Sequence, residues 1–257
     1  MQEIMNKLKM ALLAAGLSVS SAHATIVEVQ TTQGNFQINL FDETTPKTVE
    51  NFLTYVNNED YNGVVFHRLV TDFVLQGGGY TYDGATFEAI ENYGSVINEP
   101  VYSNVRGTIA MAKLANQPNS ATNQWFINLS DNSGNLDLQN GGFTVFGQVI
   151  GNGMEVVDKM SEFACNEYPL VDTTDEQCAD LKSGNLTLDS QKLITIDHVS
   201  IIDSNSNTAS GLSPKENTLI KEPVQPPLTS TDSGGSFGAL LSLLAGLMVF
   251  RRKTTAK

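Results

Sequence analysis

The chain has 257 residues, 40% of them hydrophobic, and carries 15 Lys and Arg against 28 Asp and Glu. That apolar share supports a real core, and the length suits one good-sized domain or two small ones. A formal net charge of −13 sets the chain against nucleic acid and anionic membrane surfaces, whose phosphates would repel it.

The first 24 residues stand apart. Lys7 and Lys9 precede an apolar run over residues 10–19, and Ala22-His23-Ala24 is an A-x-A cleavage pattern. This is the layout of a secretory signal peptide, so the mature chain is expected to start near Thr25. Glu3 is out of place in such a leader, which makes Met5 an alternative start. Next, "TIVEVQTT" alternates, with Val27 and Val29 on one face. Phe36, Ile38 and Leu40 alternate after it, and Gln33-Gly34-Asn35 between the two runs is hairpin chemistry. Thr45 reads as a helix N-cap with Pro46 at the first helical position. Val49, Phe52, Leu53 and Val56 fall at i, i+3, i+4 and i+7, one apolar helical stripe. Short strands are expected over 64–69, 73–76, 108–112, 125–129, 144–149 and 193–202, with a second short helix over 154–161. About eight strands and two helices favour a barrel or a sandwich, because closure removes exposed edges.

The end of the chain changes character. Residues 204–233 are rich in Ser, Thr, Pro, Asn and Gly, the composition of a flexible linker. Residues 234–257 hold Gly234-Gly235, an apolar run over 237–250, and Arg251-Arg252-Lys253. That run is shorter than the roughly 20 residues that span a bilayer comfortably. The basic cluster would keep the C-terminus cytoplasmic. The tail resembles the Gly-Gly carboxy-terminal sorting signal of some Gram-negative bacteria, which implies processing by a rhomboid-type protease. A weak, permanent membrane tether is the alternative. The expected organisation is a signal peptide over 1–24, a folded domain over 25–203, a linker over 204–233 and an anchor or sorting tail over 234–257. Without the two ends, the body keeps nine basic against 27 acidic residues, a net charge of −18.

Some chemistry can be set aside. The body has two histidines, His67 and His198, and no G-x-S-x-G, so no nucleophile motif accompanies them. They are too few for a zinc site, and Gly77-Gly78-Gly79 lacks the ending of a P-loop. Residues 131–142 lack the glycine and glutamate of a calcium loop and read as a solvated turn. No metal and no cofactor is expected. Export permits a disulfide between Cys165 and Cys178, worth roughly 3 kcal/mol in the chain-entropy model. It would staple an acidic, loop-like insertion over 162–190. There is no C-x-x-C to suggest a redox site.

Five motifs remain: Phe66-His67-Arg68, Phe73-Val74-Leu75-Gln76-Gly77-Gly78, Gly107-Thr108-Ile109-Ala110-Met111-Ala112, Asn123-Gln124-Trp125-Phe126-Ile127 and Phe143-Thr144-Val145-Phe146-Gly147. In this order and spacing they resemble the cyclophilins, the peptidyl-prolyl cis-trans isomerases, and are closest in style to periplasmic bacterial members. The resemblance covers about residues 25–203. It implies a mainly β fold, a closed eight-stranded antiparallel barrel capped by two helices, with the active site in a groove on the barrel's outer face.

The resemblance also implies a mechanism. Amide resonance sets a barrier of roughly 18–20 kcal/mol to rotation about a peptide bond. An enzyme lowers it by binding the twisted amide better than either planar form. Arg68 matches the family's arginine, a fixed donor fork toward the twisted prolyl nitrogen and the nearby carbonyl. Gln76 would orient Arg68 or hold the substrate backbone. Phe73, Phe126, Leu136 and Phe143 would form the pocket for the proline ring, with Val74 extending its floor. Ala112 and Lys113 would offer backbone groups, and Gln124 would line the groove. The glycines after Gln76 would allow a close turn. His67 matches no catalytic position and reads as structural.

Asn135 stands where many members carry an aromatic that helps bind cyclosporin, and Phe143 replaces a histidine of many eukaryotic members. The implied partners are proline-containing peptide segments of exported proteins, met in the periplasm or cell envelope. The tail adds an inner-membrane tether or transfer to the cell surface. A chaperone-like binding module and an envelope spacer are the competing readings. Arg68, Phe73, Gln76 and Phe126 together favour the enzyme, since a pure binder has less need of the arginine.

Overall fold

The structure is a computed structural model that describes residues 25–205 and 208–220. The expected signal peptide and the anchor or sorting tail lie outside the described residues.

Among the described residues there are thirteen strands. Nine of them form one antiparallel sheet: β1 (Ile26–Thr31), β2 (Gly34–Leu40), β3 (Val64–Val65), β4 (Arg68–Val70), β5 (Val74–Gly77), β8 (Thr108–Met111), β9 (Trp125–Asn128), β10 (Val145–Ile150) and β13 (Thr195–Asp203). The spatial order is β3-β13-β1-β2-β10-β8-β9-β5-β4. The two end strands, β3 and β4, are separated in the chain only by Phe66 and His67. Phe66 N–H donates to the Ile194 carbonyl of the segment leading into β13, at 2.9 Å. His67 N–H donates to the Gln76 carbonyl of β5 at 3.1 Å. One bent segment therefore pairs first with one end of the sheet and then with the other, and the sheet closes. Counting β3 and β4 as one bent strand turns the nine strands into the eight of a barrel.

Alternation along the strands then separates two apolar clusters. Leu69, Leu75, Ile127 and Ile109 lie opposite one another across β4, β5, β9 and β8 and fill the interior. Trp125 joins them, fully buried, with its ring edge-on to Phe66 at 5.7 Å. Two helices, α1 (Pro46–Asn57) and α3 (Gly153–Ser161), add Val49, Phe52, Val56, Val157 and Met160 to the same cluster. Between them comes α2 (Ser133–Leu136), a single short turn of helix.

The N-terminus of α1 is capped differently from the expectation. The Thr45 hydroxyl turns back to the Phe41 carbonyl at 3.1 Å and caps nothing in the helix. The Glu99 carboxylate replaces it, accepting from the amides of Lys47 and Thr48 at 3.3 and 2.9 Å. A negative charge at a helix N-terminus satisfies free amides and complements the dipole.

Residues 162–190 are more structured than a loop. They hold a hairpin of β11 (Ala164–Cys165) and β12 (Tyr168–Pro169), then α4 (Asp175–Ser183). Cys165 and Cys178 are joined in a disulfide that ties the hairpin to α4. Thr174 and Gln177 form a reciprocal capping box at the start of α4, satisfying two amides at once. The hairpin packs beside a second one, β6 (Tyr80–Tyr82) with β7 (Phe87–Ala89), around Val65 on the outside of β3.

The fold also does not stop at residue 203. Ser103 N–H donates to the Lys215 carbonyl at 2.8 Å, and Asn217 N–H donates to the Val101 carbonyl at 2.9 Å. Leu212 packs on the outer apolar cluster, and the Asn217 amide donates to the Asp137 carbonyl at 2.8 Å. Composition alone placed these residues in a linker, because a single leucine and a few backbone hydrogen bonds leave no periodic signal. A chain ended after Asp203 should melt about 5 °C below one ended after Ile220, since it loses roughly 2 kcal/mol of packing and hydrogen bonds. Equal melting temperatures in a thermal scan would show that the strap carries no stability.

Candidate active site

Strand register assembles the site. Arg68 pairs with Gln76 across β4 and β5, Gln76 with Phe126 across β5 and β9, and Phe126 with Ala110 across β9 and β8. Directly opposed residues point to the same face of a sheet. These four are the outward counterparts of the Leu69–Leu75–Ile127–Ile109 row. On that outer face Phe126, Val74, Leu136 and Phe143 form an apolar cluster, with Phe73 and Ala112 at its partly exposed margin. The Phe126 and Phe143 rings meet edge to face at 5.8 Å, a favoured aromatic geometry. The structure thus brings the ten expected site residues together, Gln124 through its bond with Gln76 and Lys113 through its contact with the Phe143 ring.

Arg68 is partly buried, and its Nε and Nη1 have no hydrogen-bond partner among the described residues. Burial lowers its pKa, yet a guanidinium starts so high that it stays charged. Gln76 does not bond Arg68. Its Nε2 donates to Gln124 Oε1 at 2.9 Å, and its own Oε1 is left without a partner, buried in the groove. The side chain is thereby held by Gln124 and keeps one acceptor for a ligand. Ala112 can offer only one of its two backbone groups. Its N–H is taken by the Gln124 carbonyl at 2.9 Å, so its remaining backbone offer is a carbonyl. His67 lies edge-on to Tyr80 at 4.9 Å, and burial pulls its pKa down to about 4. It is neutral at ordinary pH and suits the structural reading.

Gly78 explains the glycines. Its φ is +83°, and a Cβ there would stand 2.6 Å from both the Asn123 carbonyl and the Trp125 ring. Only glycine allows β5 to end against that segment.

A buried polar chain fixes the pocket wall, and sequence reading missed it. The Asp137 carboxylate, 1% exposed, accepts from the Ser103 hydroxyl and from the Asn104 N–H and side-chain amide. Asn104 also donates to the Phe143 carbonyl at 3.2 Å. Asn128 donates to Asn104 and Thr108, and Asn132 donates to Asn128 and to the Phe73 carbonyl. Leu136, Phe143 and Phe73 are thus hung on one network. Residues 131–142 are not merely the solvated turn expected, for Asp131 faces water but Asp137 is interior. The usable signal was the crowding of Asn and Asp beside an apolar strand, since buried polar groups must find partners.

Lys113 acts through its side chain as well. The ammonium donates to the Asn140 and Gly142 carbonyls at 2.9 and 2.6 Å and sits 4.7 Å from the Phe143 ring centroid. Asn140, Gly141 and Gly142 all have positive φ, which turns those carbonyls toward it. Burial lowers the Lys113 pKa to about 7; the two carbonyls and the ring offset part of that cost.

Comparison with known proteins identifies the family. The family described as cyclophilin-type peptidyl-prolyl cis-trans isomerase matches residues 26–179. The chain belongs to that family. It is an isomerase of X-Pro bonds, and its substrates are proline-containing peptide segments. It is 41% identical to a peptidyl-prolyl cis-trans isomerase of Acinetobacter baylyi over 167 residues, covering 62% of this chain and 85% of that one. It is also 41% identical to peptidyl-prolyl cis-trans isomerase B of Escherichia coli, over 54% of this chain and 85% of the relative. A crystal structure of a Cryptosporidium parvum cyclophilin-type isomerase aligns with a TM-score of 0.51 at 22% identity, covering 70% of this chain and 99% of that one. That last likeness bears on the fold.

Lys113 yields a pH prediction. Its folded pKa is depressed below the unfolded value near 10.4, so between about pH 7 and 10 the unfolded chain holds a proton that the folded chain has released. Stability should rise with pH over that window, by at most about 1.4 kcal/mol per unit. Relative to Lys113→Met, wild type should gain stability in urea titrations from pH 7 to pH 9.5. Parallel pH profiles for the two proteins would mean that the buried ammonium titrates normally.

Proposed function

We propose that Arg68 is the catalytic group of the groove, with Phe73, Phe126, Leu136 and Phe143 receiving the proline ring. One observation carries the assignment: two buried guanidinium donors, Nε and Nη1, without partners at the edge of an apolar pocket. Leaving such donors unpaired costs free energy in the resting protein. A twisting prolyl amide repays it, because its nitrogen regains a lone pair as resonance is lost. The donors then bind the transition state better than the planar amide, which is the condition for acceleration. Gln76 Oε1 and the Ala112 carbonyl hold the peptide backbone, and Gln124 holds Gln76. No bond is made or broken, so the reaction needs no cofactor.

The finer reading is that the enzyme assists the folding of exported proteins in the periplasm or cell envelope. The leader pattern of residues 1–24 supports export. The run over 237–250 and its basic cluster support a membrane tether, or a sorting signal cut by a rhomboid-type protease.

Exchange of an X-Pro peptide followed by NMR, with no protease present, tests the catalytic assignment in the full chain. Wild type should speed exchange, and Arg68→Ala should lose about 100-fold or more, the effect of removing a transition-state donor. Binding of the peptide without acceleration by either protein would make the groove a binding module.

A further inference from the structure

The insertion over residues 162–190 reaches the active strand through its hairpin. Asn166 and Glu167 form the two-residue turn between β11 and β12, with φ of +52° and +69°. Asparagine suits this left-handed position of a two-residue hairpin turn, but the glutamate after it adopts such backbone only where the surroundings hold it. Four interactions hold it here. The Leu69 N–H of β4 donates to the Glu167 carbonyl at 2.5 Å. The Asn166 side-chain amide donates to the Cys178 carbonyl, and the Cys165–Cys178 disulfide binds the same hairpin to α4. Tyr168, the next residue, stacks on Phe87 with rings 7° from parallel. The turn is thus fastened to the strand that carries Arg68, one residue from Arg68 itself.

This placement puts an acidic residue at the edge of the strand that carries the guanidinium, its carbonyl on the amide next to Arg68. Glu167 is exposed, and its charge favours the protonated form of Arg68 against the cost of burial. Yet the two make no ion pair, and Arg68 Nε and Nη1 stay without a partner. The carboxylate thus acts on Arg68 through charge and leaves its donors open to a ligand. A half-buried guanidinium with no such neighbour gains hydration by swinging out of the groove.

We propose that Glu167 is a positioning residue for Arg68, carried to the edge of β4 by a turn that the Cys165–Cys178 disulfide pins. The inference rests on the isomerase reading of Arg68. It predicts that Glu167 acts on the turnover step through Arg68 and not on peptide binding.

The test uses the full chain with Glu167→Gln, Glu167→Asp, the double variant Cys165→Ser/Cys178→Ser, and the double variant combined with Glu167→Gln. Glutamine keeps the shape and removes the charge. Exchange NMR of an X-Pro peptide gives kcat and KM, and the Nε–H resonance of Arg68 reports its surroundings directly. Glu167→Gln should lower kcat about threefold to tenfold with KM within about twofold, the scale of one partly exposed charge interaction. Glu167→Asp should keep most of the rate. The Arg68 Nε–H signal should shift in the glutamine variant. The cysteine variant should also lower kcat, and adding Glu167→Gln to it should cost less than the product of the two effects, because both act through one contact. An unchanged kcat and an unmoved Nε–H signal in Glu167→Gln would overturn the proposal. So would a change in KM alone, which would place Glu167 on the peptide. If wild type failed to accelerate exchange, the isomerase reading would fall, and the Nε–H signal would still judge the coupling of Glu167 to Arg68.

Discussion

Everything at this site depends on strict alternation in a closed sheet. Residues 68, 76, 126 and 110 share the outer face because residues 69, 75, 127 and 109 share the inner one. A slip of one residue in any strand would exchange the two rows, burying Arg68 in the barrel and exposing isoleucines and leucines. The interior packing that stabilises the barrel therefore also fixes the groove. Catalytic register needs no separate device on these strands.

The opposite wall of the pocket has no strand to define it. Leu136 and Phe143 sit on a winding segment, and its position comes from polar contacts. Asp137 gathers three donors from residues 103 and 104, Lys113 draws in two carbonyls from residues 140 and 142, and Asn217 reaches Asp137 from the C-terminal strap. Gly142 marks how tight the assembly is, since a Cβ there would meet Ile220 at 2.5 Å and the Asp137 carbonyl at 2.7 Å. Such networks are strong when complete and costly when broken. Half of the pocket is set by apolar packing, and the other half by hydrogen bonds.

Much of this was legible in the chain. The stripe Val49-Phe52-Val56 announced α1, and alternation announced most barrel strands. The five ordered motifs located Arg68, Gln76, Phe126 and Phe143 and implied a closed barrel, which element counting alone could not separate from a sandwich. What was hidden is non-local or non-periodic. The Tyr80–Tyr82 and Phe87–Ala89 strands are too short for alternation to register. Helix α4 buries no residue, so it has no apolar stripe, and only its capping box betrays it. Glu99 caps α1 from about fifty residues away, a contact that no local rule can foresee. Gln76 bonds Gln124 and not Arg68, a choice made by side-chain geometry. The strap over residues 212–220 looks like linker because its composition is linker-like, while its hold on the domain is mostly backbone.

The bend at Phe66 and His67 carries one more consequence. The same short segment joins the two ends of the sheet and leads directly into Arg68, with its amides divided between Ile194 and Gln76. Proteins open locally in cooperative units, and here the seam of the barrel runs through the segment that leads to Arg68. Breathing at the seam would carry Arg68 away from the groove in the same motion. The amides of Phe66 and His67 therefore report on the closure of the barrel and on the approach to Arg68 at once.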